Sequence, residues 1–269
     1  MGAIPTTPPV APVARERTAP LGYIRFPTRR RTILKTRERP QEAMTSGDIR
    51  NAPAYSFPAA ARHLGMPPAT LRSWVVGRTY RRGGVSVVTA PLIRAPAGSG
   101  NLISFNNLVE AHVLRAIRTK DGVRMAAVRD AIRYAEESLG IERLLLSDEL
   151  RTSGQDIFLD RLRELITLSR SGQLAMKQML SAYLKRVDRD DDALPFRLYP
   201  LRPAWSGDRK PIVIDPRVSF GRPTVAGSGI STAALVDRVD AGEDLQTLAD
   251  DYRLSIDQVE DAVFYERAA

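Results

Sequence analysis

Apolar side chains first recur at helical spacing within residues 55–82, and there they predict two short helices joined by a tight turn. Ser56 can cap the first helix, Pro58 fits its opening turn where a missing N–H costs nothing, and Ala59, Ala60, Ala61 and Leu64 form a small apolar face. Gly65 stops this helix. Met66, Pro67 and Pro68 then turn into a second one, over 69–76, in which Leu71, Trp74 and Val75 fall at i, i+3 and i+4 and point inward. Thr70, Arg72 and Ser73 face out, and the chain trails into Arg78, Tyr80, Arg81 and Arg82. A second helix that exposes arginine and hydroxyls suits the major groove of DNA. A helical hairpin with a solvated basic edge has the same pattern.

The rhythm then changes. Gly83 and Gly84 break the chain, 85–88 and 92–93 are short β-prone runs, and PAGSG at 96–100 is a turn before Leu102 and Ile103, which together read as a wing. Ser104 caps a helix with Leu108, Val109, His112, Val113 and Ile117 on one face. After Asp121 and Gly122 another helix carries Val123, Ala127, Val128, Ile132 and Tyr134 or Ala135. With its Trp-bearing second helix, its wing and the run SFNNLVEAHVLRAIRTKDGVRMAAVR, residues 56–135 resemble the winged helix-turn-helix domain of the MerR-like regulators. That resemblance implies double-stranded operator DNA as a partner. The long dimerising helix and effector domain of a MerR chain do not follow, so metal or drug sensing does not carry over.

Farther on, 141–146 is an apolar run, and 156–159 with 165–168 are expected to pair as a hairpin. Residues 173–187 read as a helix burying Leu174, Met176, Met179, Leu180, Tyr183, Leu184 and Val187. DRDDD at 188–192 ends it, 196–199 reads as a strand, and Pro200, Pro203, Gly207 and Pro211 mark a linker. The acidic run lacks the Gly and terminal Glu of an EF-hand and reads as solvated charge, so no metal is expected. In the C-terminal stretch PIVIDPRVSFGRPTVAGSGI, 212–214 is a strand, Gly221, Pro223, Gly227 and Gly229 fix a tight loop, and Ser231 or Thr232 caps a helix through Val239. No Lys-Ser or Lys-Thr follows these glycines, so the loop is not a phosphate cradle and no cofactor is expected. Two further helices follow, one with Leu245, Leu248 and Ala249, the other with Ile256, Val259, Ala262, Val263 and Tyr265. They form a second helix-turn-helix outline whose Asp244, Asp250, Asp251, Asp257, Glu260 and Asp261 would repel DNA and meet protein instead.

Composition sharpens this division. The formal charge of +9 over 269 residues is unevenly placed: +6 in 1–50, +9 in 51–135 and −6 in 136–269. A basic block beside an acidic remainder is the layout of a polyanion-binding head with another sort of partner behind it. The absence of cysteine excludes disulfides and thiolate metal sites and fits a cytoplasmic setting, and no apolar run reaches the length of a membrane span. Residues 1–50, rich in Pro, Thr and Arg, read as a disordered basic tail with a weak strand at 23–26; translation from Met44 is an alternative, and a transit peptide is disfavoured. The two histidines, His63 and His112, lie in apolar helical patterns and read as structural, so no enzyme is expected.

The last sixty or so residues closely resemble the bacterial domain-of-unknown-function family four-three-three, whose members behave like antitoxins encoded beside PIN-like ribonuclease toxins. Asp215 and Pro216, Gly221, Pro223 and Val225, and Gly227 with Ile230 match its pattern, while Ser228 and Gly229 replace a Thr-Arg. The expected protein is therefore mainly α (α+β). It comprises a disordered tail (1–50), a MerR-like winged helix-turn-helix (51–136), a small α+β middle segment for dimerisation (137–208) and a helical toxin-binding module (209–269). Its expected function is that of a homodimeric antitoxin, binding operator DNA through Thr70, Arg72, Ser73, Arg78, Tyr80, Arg81 and Arg82. A PIN-like ribonuclease toxin would be held through Phe220, Gly221, Pro223, Val225 and Ile230. In a competing arrangement Phe220 folds back over 212–214. The competing functions are a regulator without a toxin, its C-terminal half dimerising or sensing a ligand, and a nuclease.

Overall fold

Ser56 ends a short strand, β1 (Pro53–Ser56), and starts α1 (Phe57–Leu64) by accepting the Ala59 N–H on Oγ at 3.3 Å. Gly65, left-handed at φ 60°, closes α1, and Pro68 opens α2 (Pro68–Val75). This computed structural model describes residues 47–118, 123–166, 169–205 and 208–268. The basic tail other than 47–50, its strand at 23–26, Met44 and the turn at Asp121 and Gly122 lie outside the described residues.

β2 (Arg78–Arg82) pairs antiparallel with β3 (Val85–Thr89), Arg82 opposite Val85. Gly83 and Gly84 form the loop, both at positive φ (57° and 83°), as a type I′ hairpin turn requires. The expected wing is present. Residues 92–93, expected as β-prone, form a bend whose Leu92 and Ile93 N–H groups both donate to the Trp74 carbonyl, at 2.7 and 3.0 Å. The chain returns through β4 (Leu102–Ser104), antiparallel to β1.

The next helix, α3 (Phe105–Arg118), is the hub of the fold, buried without interruption from Phe105 to Leu114. Ser104 and Asn107 cap it reciprocally, each side chain accepting the other's backbone N–H at 3.2 Å. Its buried carboxylate, Glu110, accepts two hydrogen bonds from Arg143, at 2.9 and 2.8 Å, and one from Asn107 Nδ2, at 3.0 Å, so the charge is both paired and satisfied. α1, β1, β4 and two later elements, α6 (Arg170–Leu184) and β6 (Pro195–Leu198), pack on α3.

The hairpin expected from 156–159 with 165–168 does not form. Residues 156–159 lie inside α5 (Ser153–Leu165), which packs on α4 (Met125–Leu139); 167–168 lie outside the described residues. Phe158, Leu159 and Leu162 are buried together at helical spacing, and that period overrides the short apolar runs read as strands. The helix expected over 173–187 ends at Leu184, and Val187 instead opens β5 (Val187–Arg189), paired with β6. In the turn between them Asp190 Oδ1 accepts the Asp192 and Leu194 N–H groups while Oδ2 takes Arg50, so this carboxylate shapes a turn.

Ile214 bridges Leu198 and extends the chain into β7 (Ile212–Val213), which pairs with β8 (Thr224–Val225). Three helices complete the fold: α7 (Thr232–Asp240), α8 (Leu245–Tyr252) and α9 (Ile256–Arg267), the last opened by a capping box of Ser255 and Gln258. The architecture is mainly helical, with four two-stranded sheets among the described residues. One apolar core runs from Tyr55 through α3, α4, α5 and α6 to Ile214; a second gathers Trp205, Ile212, Val225, Leu235, Ala262 and Tyr265. The described residues belong to one compact unit, and the boundaries expected at 136/137 and 208/209 fall inside it.

Candidate nucleic-acid and partner interfaces

α2 turns Leu71, Trp74 and Val75 into the core, which leaves Arg72 exposed on its opposite side with Thr70 and Ser73 half-buried beside it. The Ser73 hydroxyl donates to the Thr70 carbonyl at 2.7 Å, so its proton is already engaged within the helix. Arg72 reaches Asn101 Oδ1 at 3.4 Å, and its guanidinium carbon lies 5.6 Å from the centroid of the Phe57 ring. Arg78, Tyr80 and Arg81 are exposed on the wing, where alternation along β2 sends Arg78 and Tyr80 to one face and Arg81 to the other. Arg82 occupies the last position of β2.

The wing is fixed at its root. A side chain on Gly77 would place its Cβ 2.3 Å from the Thr89 carbonyl oxygen, so that approach of the two strands requires glycine. Arg129, from α4, donates to the Ala90 carbonyl at 2.7 Å, a support no local pattern announces. Between Asp48 and Glu110 the chain holds seven arginines and no acidic residue. α2 and the wing themselves therefore carry arginines and no carboxylate, a charge that suits a phosphate backbone.

The C-terminal loop is organised by Asp215, a buried carboxylate that accepts from the Arg217 N–H at 2.9 Å, from Arg217 Nε at 3.1 Å and from Arg197 Nε at 3.1 Å. Burial alone would raise its pKa; the hydrogen bonds from Arg217 and Arg197 outweigh that and hold it below the ordinary carboxylate value. Beyond it, Ser219, Phe220 and Gly221 are consecutively left-handed (φ 48°, 55° and 74°). The Tyr55 hydroxyl, from β1, donates to the Gly221 carbonyl at 2.9 Å and locks the turn to the helix-turn-helix. Phe220 is thrust outward and is 93% exposed, so it does not fold back over 212–214.

The other expected partner residues serve the fold. Gly221 is buried against Tyr55, the buried Pro223 lends its carbonyl to the N–H of Thr232, and Val225 is buried in β8 opposite Ile212. Ile230 is half-buried beside the core of Trp205. On α8, α9 and the turns before them, Asp244, Asp250, Asp251, Asp257 and Glu260 are exposed, whereas Asp261 is buried and bonded to Arg209 at 2.5 Å. From Asp237 to Glu266 the chain carries ten acidic residues against two arginines.

Both histidines are buried. His63 Nδ1 shares a 2.8 Å hydrogen bond with the Tyr265 hydroxyl, and His112 Nε2 lies 3.1 Å from the Tyr183 carbonyl, where it must donate. Burial, reinforced by neighbouring arginines, pushes each pKa down to about 3, so both rings are neutral at pH 7. Among the described residues no cluster of His, Asp and Glu could hold a metal ion, and no helix is long and apolar enough to cross a membrane.

Residues 53–132 match the model of a "Putative DNA-binding HTH domain", and residues 212–265 that of a "Protein of unknown function (DUF433)". In Mycobacterium tuberculosis the chain is 27% identical over 225 residues to "Uncharacterized protein Rv2308", covering 79% of this chain and 90% of that protein. The crystal structure of Rv2018 from the same organism superposes with a TM-score of 0.59 at 28% identity, over 79% of this chain and 98% of that one. Identity reaches 33% over 230 residues, 79% of this chain and 93% of the relative, with "Putative antitoxin VapB45" of Mycobacterium tuberculosis. With a DNA-binding type of helix-turn-helix at one end and the DUF433 module at the other, the chain belongs to the family of that antitoxin.

Proposed function

We propose that this protein is a non-catalytic, homodimeric antitoxin that represses its own operator through a MerR-like helix-turn-helix and neutralises a PIN-like ribonuclease toxin through its C-terminal module. The observation that carries the reading is the exposed set of Arg72, Arg78 and Arg81 on α2 and the wing, elements that themselves carry no carboxylate, in a chain 33% identical to a protein named as an antitoxin. Arg72 reads base edges from α2. Arg78, Arg81 and Arg82 with Tyr80 follow the phosphates, and Thr70 and Ser73 face the groove beside Arg72.

Toxin capture rests on Phe220, the one strongly exposed aromatic of the DUF433 module, together with the half-buried Ile230 and the acidic helices α8 and α9, which suit a basic partner. Gly221, Pro223 and Val225 shape the loop that presents it. Fluorescence anisotropy of the full chain on duplex DNA from upstream of its own gene tests the head. Arg72→Ala combined with Arg81→Ala and Arg82→Ala should abolish binding, and unchanged affinity refutes the DNA assignment. Co-purification from the native host tests the module, and a PIN-like ribonuclease should be retained. A chain that retains none leaves a regulator without a toxin.

A further inference from the structure

Arg72 differs from the arginines of the wing in being held before any DNA arrives. Arg78 and Arg81 make no hydrogen bond or ion pair to the described residues, whereas Arg72 has the Phe57 ring 5.6 Å away and Asn101 Oδ1 at 3.4 Å. Asn101 is itself fixed. It precedes β4, whose Leu102 pairs with Ser56 of β1, and the Leu102 N–H closes its turn on the Ser99 carbonyl at 3.0 Å. The helix-capping strand that sets the start of α1 thus also sets the height of Asn101 beside α2.

The chemistry of the amide then decides what the two side chains can read. An asparagine recognises adenine by accepting from N6 while donating to N7, with its oxygen aimed at the base. Here Oδ1 is aimed at Arg72 instead, and the guanidinium it orients has only donors left to offer. A fork made only of donors matches guanine, whose major-groove edge presents the acceptors N7 and O6.

Resting on the DNA-binding reading above, we infer that Asn101 is a specificity-determining residue. By turning its oxygen to Arg72 and orienting that guanidinium, Asn101 makes the helix-turn-helix select guanine over adenine at one position of each half-site.

The test is selection from a random duplex library by the full chain, followed by anisotropy on the enriched sequence. Wild type should enrich a guanine whose replacement by 7-deazaguanine weakens binding about tenfold or more. Asn101→Ala should lose most of that preference, and Asn101→Asp, which neutralises Arg72 and removes both donors, all of it. In Asn101→Ala the salt dependence and the affinity for random DNA should stay as in wild type, because no charge and no phosphate contact is lost, whereas the carboxylate of Asn101→Asp should also weaken random binding, so that variant is read by its guanine preference alone. Asn101→Ala that keeps the guanine preference overturns the inference, as does Asn101→Ala that loses specific and random binding alike. Salt-dependent duplex binding by wild type without any enriched sequence overturns the inference alone. No duplex binding overturns the DNA-binding reading beneath it.

Discussion

Replacing Gly221 by alanine probes the joint between the C-terminal loop and the helix-turn-helix. Gly221 has φ +74°, and an L-residue held in the left-handed region costs about 1–2 kcal/mol. The new Cβ would lie 2.3 Å from the Tyr55 hydroxyl oxygen, closer than real contacts allow, so that hydroxyl must leave and its 2.9 Å bond to the Gly221 carbonyl is lost. A buried carbonyl deprived of its donor costs a further ~1–3 kcal/mol. Gly221→Ala should therefore destabilise by about 2–5 kcal/mol. Tyr55→Phe removes the offending atom and the same hydrogen bond for about 1–3 kcal/mol, after which the nearest atom to the new Cβ is a ring carbon at 3.2 Å. The double variant then loses the bond once rather than twice. Urea unfolding of the full chain, followed by circular dichroism, should give a coupling of about 1–3 kcal/mol between the two sites. Additivity to within about 0.5 kcal/mol would refute the contact.

Three other outcomes follow from the same structure. Trp74→Ala empties a buried site at the base of α2 and should cost about 3–5 kcal/mol in the same unfolding assay, abolishing DNA binding with the fold. Phe220→Ala should leave unfolding within about 0.5 kcal/mol of wild type, because the ring is 93% exposed, while abolishing retention of the toxin. His63 and His112 are held neutral with pKa values near 3, below the unfolded value of about 6.5, so the unfolded chain binds more protons between those limits. Stability is then complete above about pH 6.5 and falls as pH drops, on the order of 3 kcal/mol per histidine by pH 4.5; melting temperatures across that window should decline, and His112→Gln should flatten the decline.

Much of the fold is written in neighbouring residues, and that part is legible. Ser56, Gly65 and Pro68 bracket their helices because caps and turns act within a few positions, and Gly83–Gly84 announces a hairpin because only positive φ closes it with the right twist. The burial of α3 is less so: Leu108, Val109 and Val113 mark one face, but Asn106, Asn107 and Glu110 are buried too, through partners such as Asn51 and Arg143 that no period reveals. At the candidate sites the outward residues of α2 could be read, since Leu71, Trp74 and Val75 define the inner side. Asn101, Arg129 and Tyr55 could not. Each acts through one hydrogen bond to a residue 29, 39 and 166 positions away, and a single side chain bonded to a distant group leaves no pattern in the chain. In the C-terminal loop the same motif residues carry two opposite fates. Val225 is apolar because β8 buries it and Phe220 is apolar although nothing covers it, a distinction made by the backbone conformation of the loop.

The helix that supports α2 is also the helix on which the C-terminal module rests. The buried guanidinium of Arg202 donates to the carbonyls of Arg62 and His63, at 2.8 and 3.1 Å, and Arg115 donates to that of Leu64, so arginines from elsewhere satisfy the C-terminal end of α1. From α9, Tyr265 bonds His63 and lies beneath Arg202 with its ring centroid 4.7 Å from the guanidinium carbon, while Glu266 pairs with Arg62 at 2.8 Å and bonds Thr232. Burial pushes the Arg202 pKa down, yet its donors are satisfied by the carbonyls of Arg62 and His63, so removing those carbonyl contacts would leave a buried charge unpaired. The basic surface of α2 and the wing and the acidic surface of α8 and α9 are thus carried by one scaffold with α1 as their common wall. A change that shifts α1 against α9 must be felt at the start of α2, where Gly65 and Pro68 leave little slack, and at the loop that holds Phe220 through Tyr55.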